Sequence, residues 1–139
     1  MNWTQEEILD YNKRCAEFLG YELITPEMRK RPIEWSHSYW EHKDKANVHT
    51  SKKVLRRDGY LSFHSDWNWI MEVVEAIEKL GYESLTGGSE YYYPEKGMRY
   101  IQSFIKEEIT IYHEAKTKKE AVVQAINQFL IWYEKSKRK

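Results

Sequence analysis

Few residues in this sequence can staple, break or sharply turn a chain: of 139, one is cysteine, three are proline and six are glycine. With Cys15 alone, no intrachain disulfide and no cysteine-based metal cluster can form. Cys15 sits among Lys13, Arg14 and Ala16 in a helical pattern, where a small, half-buried and inert core residue is expected. Long apolar runs are missing as well, and none approaches the roughly 20 residues of a membrane-spanning helix. The opening Met1-Asn2-Trp3-Thr4-Gln5-Glu6-Glu7 lacks the basic and then apolar regions of a secretory signal. A cytoplasmic protein without a membrane partner is therefore expected. Charge of one sign is also absent: 22 Lys and Arg balance 22 Asp and Glu, which argues against a globally basic nucleic-acid binder. Gly87-Gly88 is the only glycine pair, and it lacks the Lys and Ser/Thr of a P-loop and the third glycine of a dinucleotide fingerprint.

What the sequence has in excess is aromatic rings. Six Trp, eleven Tyr and four Phe make up 15% of the chain, at a mean hydropathy of -0.83. Disordered chains are poor in such residues, so these rings are buried or used.

Local patterns divide the chain. Thr4 and Glu7 form a capping box, Ile8, Tyr11, Cys15 and Phe18, with Leu19, follow at helical spacing, and Gly20 is a stop. A helix over 5–19 with Ile8, Leu9, Phe18 and Leu19 inward is expected. Thr25-Pro26 reads as the start of a helix of one or two turns, cut short by Pro32. Residues 33–58 fit neither a strand nor a helix period and read as irregular. Tyr60–His64 reads as a short strand. Ser65 or Asp66 caps a helix from Trp67 to about Leu80, with Trp67, Ile70, Met71, Val74 and Ile77 as its apolar stripe. Strands are expected over 82–87, 98–105 and 107–114, as an antiparallel meander with one buried face. Thr117-Lys118-Lys119-Glu120 is a second capping box, opening a helix whose face carries Ala121, Val122, Ala125, Ile126, Phe129, Leu130 and Tyr133. The resulting expectation is one α+β domain. It has two layers, an antiparallel β-sheet of three to four strands covered by amphipathic helices. It comprises an N-terminal helix in 1–24, an irregular basic and aromatic segment in 25–58, an α+β core in 59–134 and a basic tail in 135–139.

Several constellations bear on chemistry. His37, His42 and His49 have spacings that match no metal motif, so they read as surface histidines of a polar loop. His64-Ser65-Asp66 contains triad residue types, but neighbours in sequence point apart. No nucleophile–base pair, metal set or paired-carboxylate spacing stands out, so no catalytic residue, metal ligand or cofactor is assigned. The Tyr91-Tyr92-Tyr93 run suits either a loop folded over the core or a stacking surface. The strongest candidate is the stretch from Trp35 to Arg57. Between Arg29 and Arg57 nine Lys/Arg face Glu34, Glu41 and Asp44, a local charge of +6. Rings that stack and cations that meet phosphates suit a nucleotide-like ligand or a single strand. The alternative is a loop anchored to the domain by its own tryptophans.

Two resemblances follow from quoted residues. Phe63-His64-Ser65-Asp66-Trp67-Asn68-Trp69-Ile70-Met71-Glu72-Val73-Val74-Glu75-Ala76-Ile77-Glu78, with Glu17–Tyr21 and Ala121–Tyr133, resembles a group of small proteins encoded by Bacteroidota and their phages. That resemblance implies an accessory role in a phage or mobile element and carries over no catalytic residue. The order helix, three strands, helix is similar to double-stranded-RNA-binding domains, and Thr117-Lys118-Lys119-Glu120-Ala121 is similar to the start of that family's last helix. This second resemblance implies phosphate contacts by Lys118 and Lys119. The family's Gly-Pro-x-His loop has no counterpart here, and the first of the two helices carries Glu72, Glu75 and Glu78.

The expected function is a non-enzymatic accessory protein that binds a host protein or a nucleotide-like ligand. Trp35, Tyr39, Trp40, Lys52, Lys53, Arg56 and Arg57 are its candidate contact residues. The alternatives are a nucleic-acid-binding module using Lys118 and Lys119, and a homo-oligomer whose exposed aromatics form the subunit interface.

Overall fold

A computed structural model describes residues 2–25, 38–46, 53–57, 59–88 and 99–137. The Thr25-Pro26 helix and the Tyr91–Tyr93 run lie outside the described residues.

Helix α1 (Gln5–Phe18) starts as its capping box requires. The Glu7 backbone N–H donates to the Thr4 hydroxyl at 3.1 Å, and the Thr4 N–H donates to the Glu7 carboxylate at 3.2 Å. Its buried face is Tyr11, Asn12, Cys15 and Ala16. Leu9, expected inward, is exposed, while Ile8, Phe18 and Leu19 are half-buried. The apolar count misplaced the stripe because Asn12, a polar residue, holds an inward position. Its Oδ1 accepts from the Phe63 N–H at 2.9 Å. Gly20 ends the helix with φ of 95°, in the left-handed region that glycine reaches without strain.

The segment read as irregular contains two strands. β1 (Tyr21–Ile24), β2 (Tyr39–Ala46) and β3 (Lys53–Arg57) form an antiparallel sheet in the order β1-β2-β3. Tyr21 pairs with His42 and Leu23 with Trp40, and the β2–β3 register shifts between Glu41 and Ala46. The alternation was invisible because the inward positions of β2 read Trp40 and His42, one of them a polar residue. His42 is therefore no surface loop histidine. Its Nε2 lies 2.7 Å from the Leu19 carbonyl, to which it donates, and its ring meets Tyr21 edge-on at 4.9 Å. A Cβ on Gly20 would lie 3.3 Å from that same Nε2, so glycine also makes room for the imidazole.

Tyr60–His64 is not a strand. Leu61 and Phe63 are buried as expected, but the chain turns, with Ser65 and Asp66 N–H groups donating to the Ser62 carbonyl. The Phe63 N–H is taken by Asn12 instead of a neighbouring strand.

Helix α2 (Trp67–Lys79) is capped by Asp66, whose carboxylate accepts from the Asn68 N–H at 2.8 Å. Ile70, Val73, Val74 and Ile77 are buried, whereas Trp67 is 37% and Met71 42% exposed. These two belong to the expected stripe but lie in the first turns, over the open cleft described below. β4 (Glu83–Gly88), β5 (Tyr100–Lys106) and β6 (Ile109–Ala115) form the expected antiparallel meander in the order β4-β5-β6. Helix α3 (Lys118–Lys137) starts with the Thr117 hydroxyl accepting from the Glu120 N–H, and it carries three residues of the expected tail as helix. It lies across β5 and β6 and packs on α1 and α2.

The fold is thus α+β, with antiparallel strands covered by amphipathic helices, but among the described residues the strands form two three-stranded sheets and not one sheet of three to four. Phe129 of α3 is the hub of the core. Fully buried, it meets Phe18, Tyr82, Phe104, Trp132 and Tyr133 at centroid distances from 4.9 to 6.1 Å. Such ring pairs each add about 0.5–1.5 kcal/mol beyond the area they bury. Much of the aromatic excess is spent here.

Candidate functional site

Of the expected contact residues, Tyr39 and Trp40 fall on β2 and Lys53, Arg56 and Arg57 on β3. Trp35 and Lys52 lie outside the described residues. Lys53, Arg56 and Arg57 are residues of β3, and backbone register pairs Tyr39 with Arg57 and Trp40 with Arg56. Trp40 is 2% exposed and belongs to the core cluster, so it anchors β2 and presents no stacking face to solvent. This is the anchoring role that the sequence offered as the alternative.

The two lysines at the start of α3 stand in a different setting. Lys118 lines a cleft of about 250 Å³ formed by the first turns of α2, the start of α3 and the inner face of β4 and β5. Trp67, Met71, Val74 and Val122 give it apolar walls, and Ser84, Thr86 and Gln102 give it a polar floor. Lys119 does not line the cleft, but its ammonium lies 5.7 Å from the centroid of the Trp67 ring. A cation over an indole face at an exposed site is attracted by about 0.5–1 kcal/mol. The rim therefore combines an exposed indole with two cations, one inside the cleft and one beside it.

The floor is a closed hydrogen-bond set. Thr86 stands opposite Gln102 in the β4–β5 register, and Ser84 lies two residues before it, so both hydroxyls share one face of the strand. The Gln102 side chain is 1% exposed. Its Nε2 donates to Ser84 Oγ at 2.9 Å and to the Ser103 carbonyl at 3.0 Å, and its Oε1 accepts from Thr86 Oγ1. These three residues escaped sequence reasoning. The one signal was Gln102 itself, a polar side chain at the inward position between Tyr100 and Phe104. β4 pointed the other way, because its apolar residue Leu85 is 46% exposed on the outer face while the hydroxyls face in.

A larger depression of about 390 Å³ lies where α1, α2 and α3 meet. Its wall rings, Phe18 and Tyr133, are already stacked into the core, and Arg14 there is held by Asn127 at 3.1 Å. It has no polar floor comparable with Gln102, so the smaller cleft is the better-built site.

Elsewhere, polar groups near the core are structural. His64 faces Asn12 at 3.0 Å while Asp66 caps α2, so the triad-like neighbours do point apart. Burial holds the His64 imidazole below the ordinary histidine pKa. Cys15 is fully buried, and burial pushes its thiol far up, which leaves it unreactive. Among the described residues no three His, Cys, Asp or Glu side chains gather to hold a metal ion, and no helix is long and apolar enough to cross a membrane.

No protein-family model, no curated protein and no solved structure matches the chain. The functional reading therefore rests on the cleft's own chemistry.

Proposed function

We propose that this chain is a non-enzymatic binding module that holds a nucleotide-like ligand in the Trp67–Lys118 cleft. The carrying observation is the exposure of Trp67 at the mouth of a cleft that also carries a lysine. A planar base stacks on the indole, and a phosphate is met by Lys118 on the rim and by Lys119 beside it. The apolar walls exclude water from the ring, and the polar floor meets its edge. In this reading the protein works in the cytoplasm, as an accessory protein of a phage or mobile element.

The test is calorimetric titration with the four ribonucleoside 5′-monophosphates, on the native chain and on Trp67→Ala. Base–aromatic stacking contributes about 1–3 kcal/mol, so the variant should bind roughly 5- to 150-fold more weakly. Equal affinity of both proteins, or no binding by the native chain, removes the reading.

A second reading is favoured by the same lysine pair. Lys118 and Lys119 open α3 beside an exposed ring, as a phosphate-tracking surface for RNA would. It requires affinity that falls steeply with salt, and a charge-removing Lys118→Gln/Lys119→Gln variant with a shallower salt slope. Affinity for a duplex that does not respond to salt rules it out.

A further inference from the structure

The floor of the cleft has a fixed polarity that the hydrogen-bond partners dictate. The Ser103 carbonyl can only accept, so the Gln102 atom 3.0 Å from it is the amide nitrogen. The second hydrogen of that nitrogen goes to Ser84 Oγ at 2.9 Å. The amide oxygen then faces Thr86 Oγ1, and the threonine must donate its only proton to it. Turning the amide over would oppose two oxygens at a side chain that is 1% exposed, where water cannot relieve the mismatch. The consequences for the two hydroxyls are opposite. Thr86 has given up its proton and offers lone pairs. Ser84 has accepted a hydrogen and keeps its own proton to give. Among the described residues neither side chain makes another hydrogen bond, and both line the cleft.

We propose that Ser84 and Thr86 are the specificity-determining pair of the cleft: a donor and an acceptor on one strand face that read an acceptor next to an N–H on the edge of a heterocycle. This rests on the nucleotide reading above and narrows it. A base edge carrying a ring nitrogen or carbonyl beside an amino or imino N–H satisfies both hydroxyls. A ring of the same size without the N–H leaves Thr86 facing a group that cannot donate. Gln102 is a positioning residue, since it sets the two hydroxyl protons and does not line up with the ligand itself.

The experiment pairs each ribonucleoside 5′-monophosphate with an analogue whose donor nitrogen on that edge carries no hydrogen, for example UMP with 3-methyl-UMP and AMP with N6,N6-dimethyl-AMP. Affinities are measured on the native chain, Thr86→Val, Thr86→Ser and Ser84→Ala, with melting temperatures to confirm folding. The expected result is at least tenfold discrimination against the methylated partner of the bound nucleotide by the native chain. Thr86→Val should reduce that ratio to within about twofold, and Thr86→Ser, which keeps the hydroxyl, should restore it. Ser84→Ala should weaken both partners and leave the ratio intact. Equal binding of both partners by the native chain, with Trp67→Ala still weakening each, overturns the specificity pair and keeps the stacking site. A discrimination that survives Thr86→Val also overturns it. Absence of nucleotide binding altogether overturns the cleft reading and this inference with it.

Discussion

Sheet β4–β6 lies under α3 with Gln102 and Phe104 of its central strand fully buried, whereas sheet β1–β3 meets the core through Tyr21, Leu23, Trp40 and His42. The first is covered by the helix that carries the aromatic hub. Among the described side chains of the second, the inward face is two residues from each of two strands paired in register. Among the described residues, α1 packs beside β1. The difference separates what holds the domain together from what is attached to it. It also places the cleft, with its floor of Ser84, Thr86 and Gln102, on the better-supported sheet.

The largest expected effect comes from the hub. Phe129→Ala removes a ring in contact with five others, and such truncations cost about 3–5 kcal/mol. Chemical denaturation should show the whole domain shifting, with protection from hydrogen exchange falling in β4–β6 and β1–β3 alike. Trp40→Ala removes a ring of similar size from the edge of the same core. Here exchange protection should collapse in β1–β3 while the amides of β5 keep theirs, because the attached sheet can open without disturbing α3. A uniform loss in both sheets after Trp40→Ala would mean that the two sheets unfold as one unit, and the contrast would fail.

The same contrast explains what could be read from the residues alone. Strands β4–β6 and helices α2 and α3 announced themselves through signals that are local in sequence: the Thr117 cap, Gly81 after α2, and alternation through Tyr100, Gln102 and Phe104. In β1–β3 the inward face is Tyr21, Leu23, Trp40 and His42, and a buried histidine cannot be told from a surface one by period. Asn12 misled in the same way, turning the apparent face of α1. The cleft was half legible. Lys118 and Lys119 drew notice through their resemblance to a phosphate-binding helix start, and Trp67 was assigned to the core because it fits the stripe of α2. Trp67 is the first residue of α2 and stands at the open cleft, a tertiary placement that its period does not show. The donor and acceptor roles of Ser84 and Thr86 depend on the register of β4 against β5, which no local pattern carries.

A smaller effect is expected at the seam between α1 and the turn before α2. Asn12 Oδ1 accepts from the Phe63 N–H, so its Nδ2 donates to His64 Nδ1, and the neutral ring carries its proton on Nε2. Protonation would set two donors against each other. Lys13, in the same crevice, adds a positive charge nearby. The folded-state pKa lies below the ordinary value near 6.5, so between the two the unfolded chain binds more protons and stability rises with pH. The contribution is complete above pH 6.5 and declines as pH falls toward the depressed folded value. His64→Asn keeps an acceptor near the position of Nδ1 and cannot titrate. The difference in melting temperature between this variant and the native chain should therefore grow in the variant's favour from pH 7.5 to 5.5. A difference that does not change with pH would show that His64 does not carry the acid sensitivity.

The smallest effect belongs to a group that the fold leaves unsatisfied. Tyr11 is fully buried against Trp3, at a ring distance of 5.1 Å, and among the described residues its hydroxyl has no hydrogen-bond partner. Burial pushes its pKa well up, with the Cys15 thiol adding to the shift. A buried hydroxyl that makes no bond has lost its water without compensation, and deleting it removes that cost. Tyr11→Phe should therefore leave stability unchanged or raise it by up to about 1 kcal/mol, measured by denaturant titration. A loss of similar size would show that the thiol is a true partner. In that case Cys15→Ala should cost about as much as Tyr11→Phe, and the double variant no more than either alone, because a single shared bond can be broken only once.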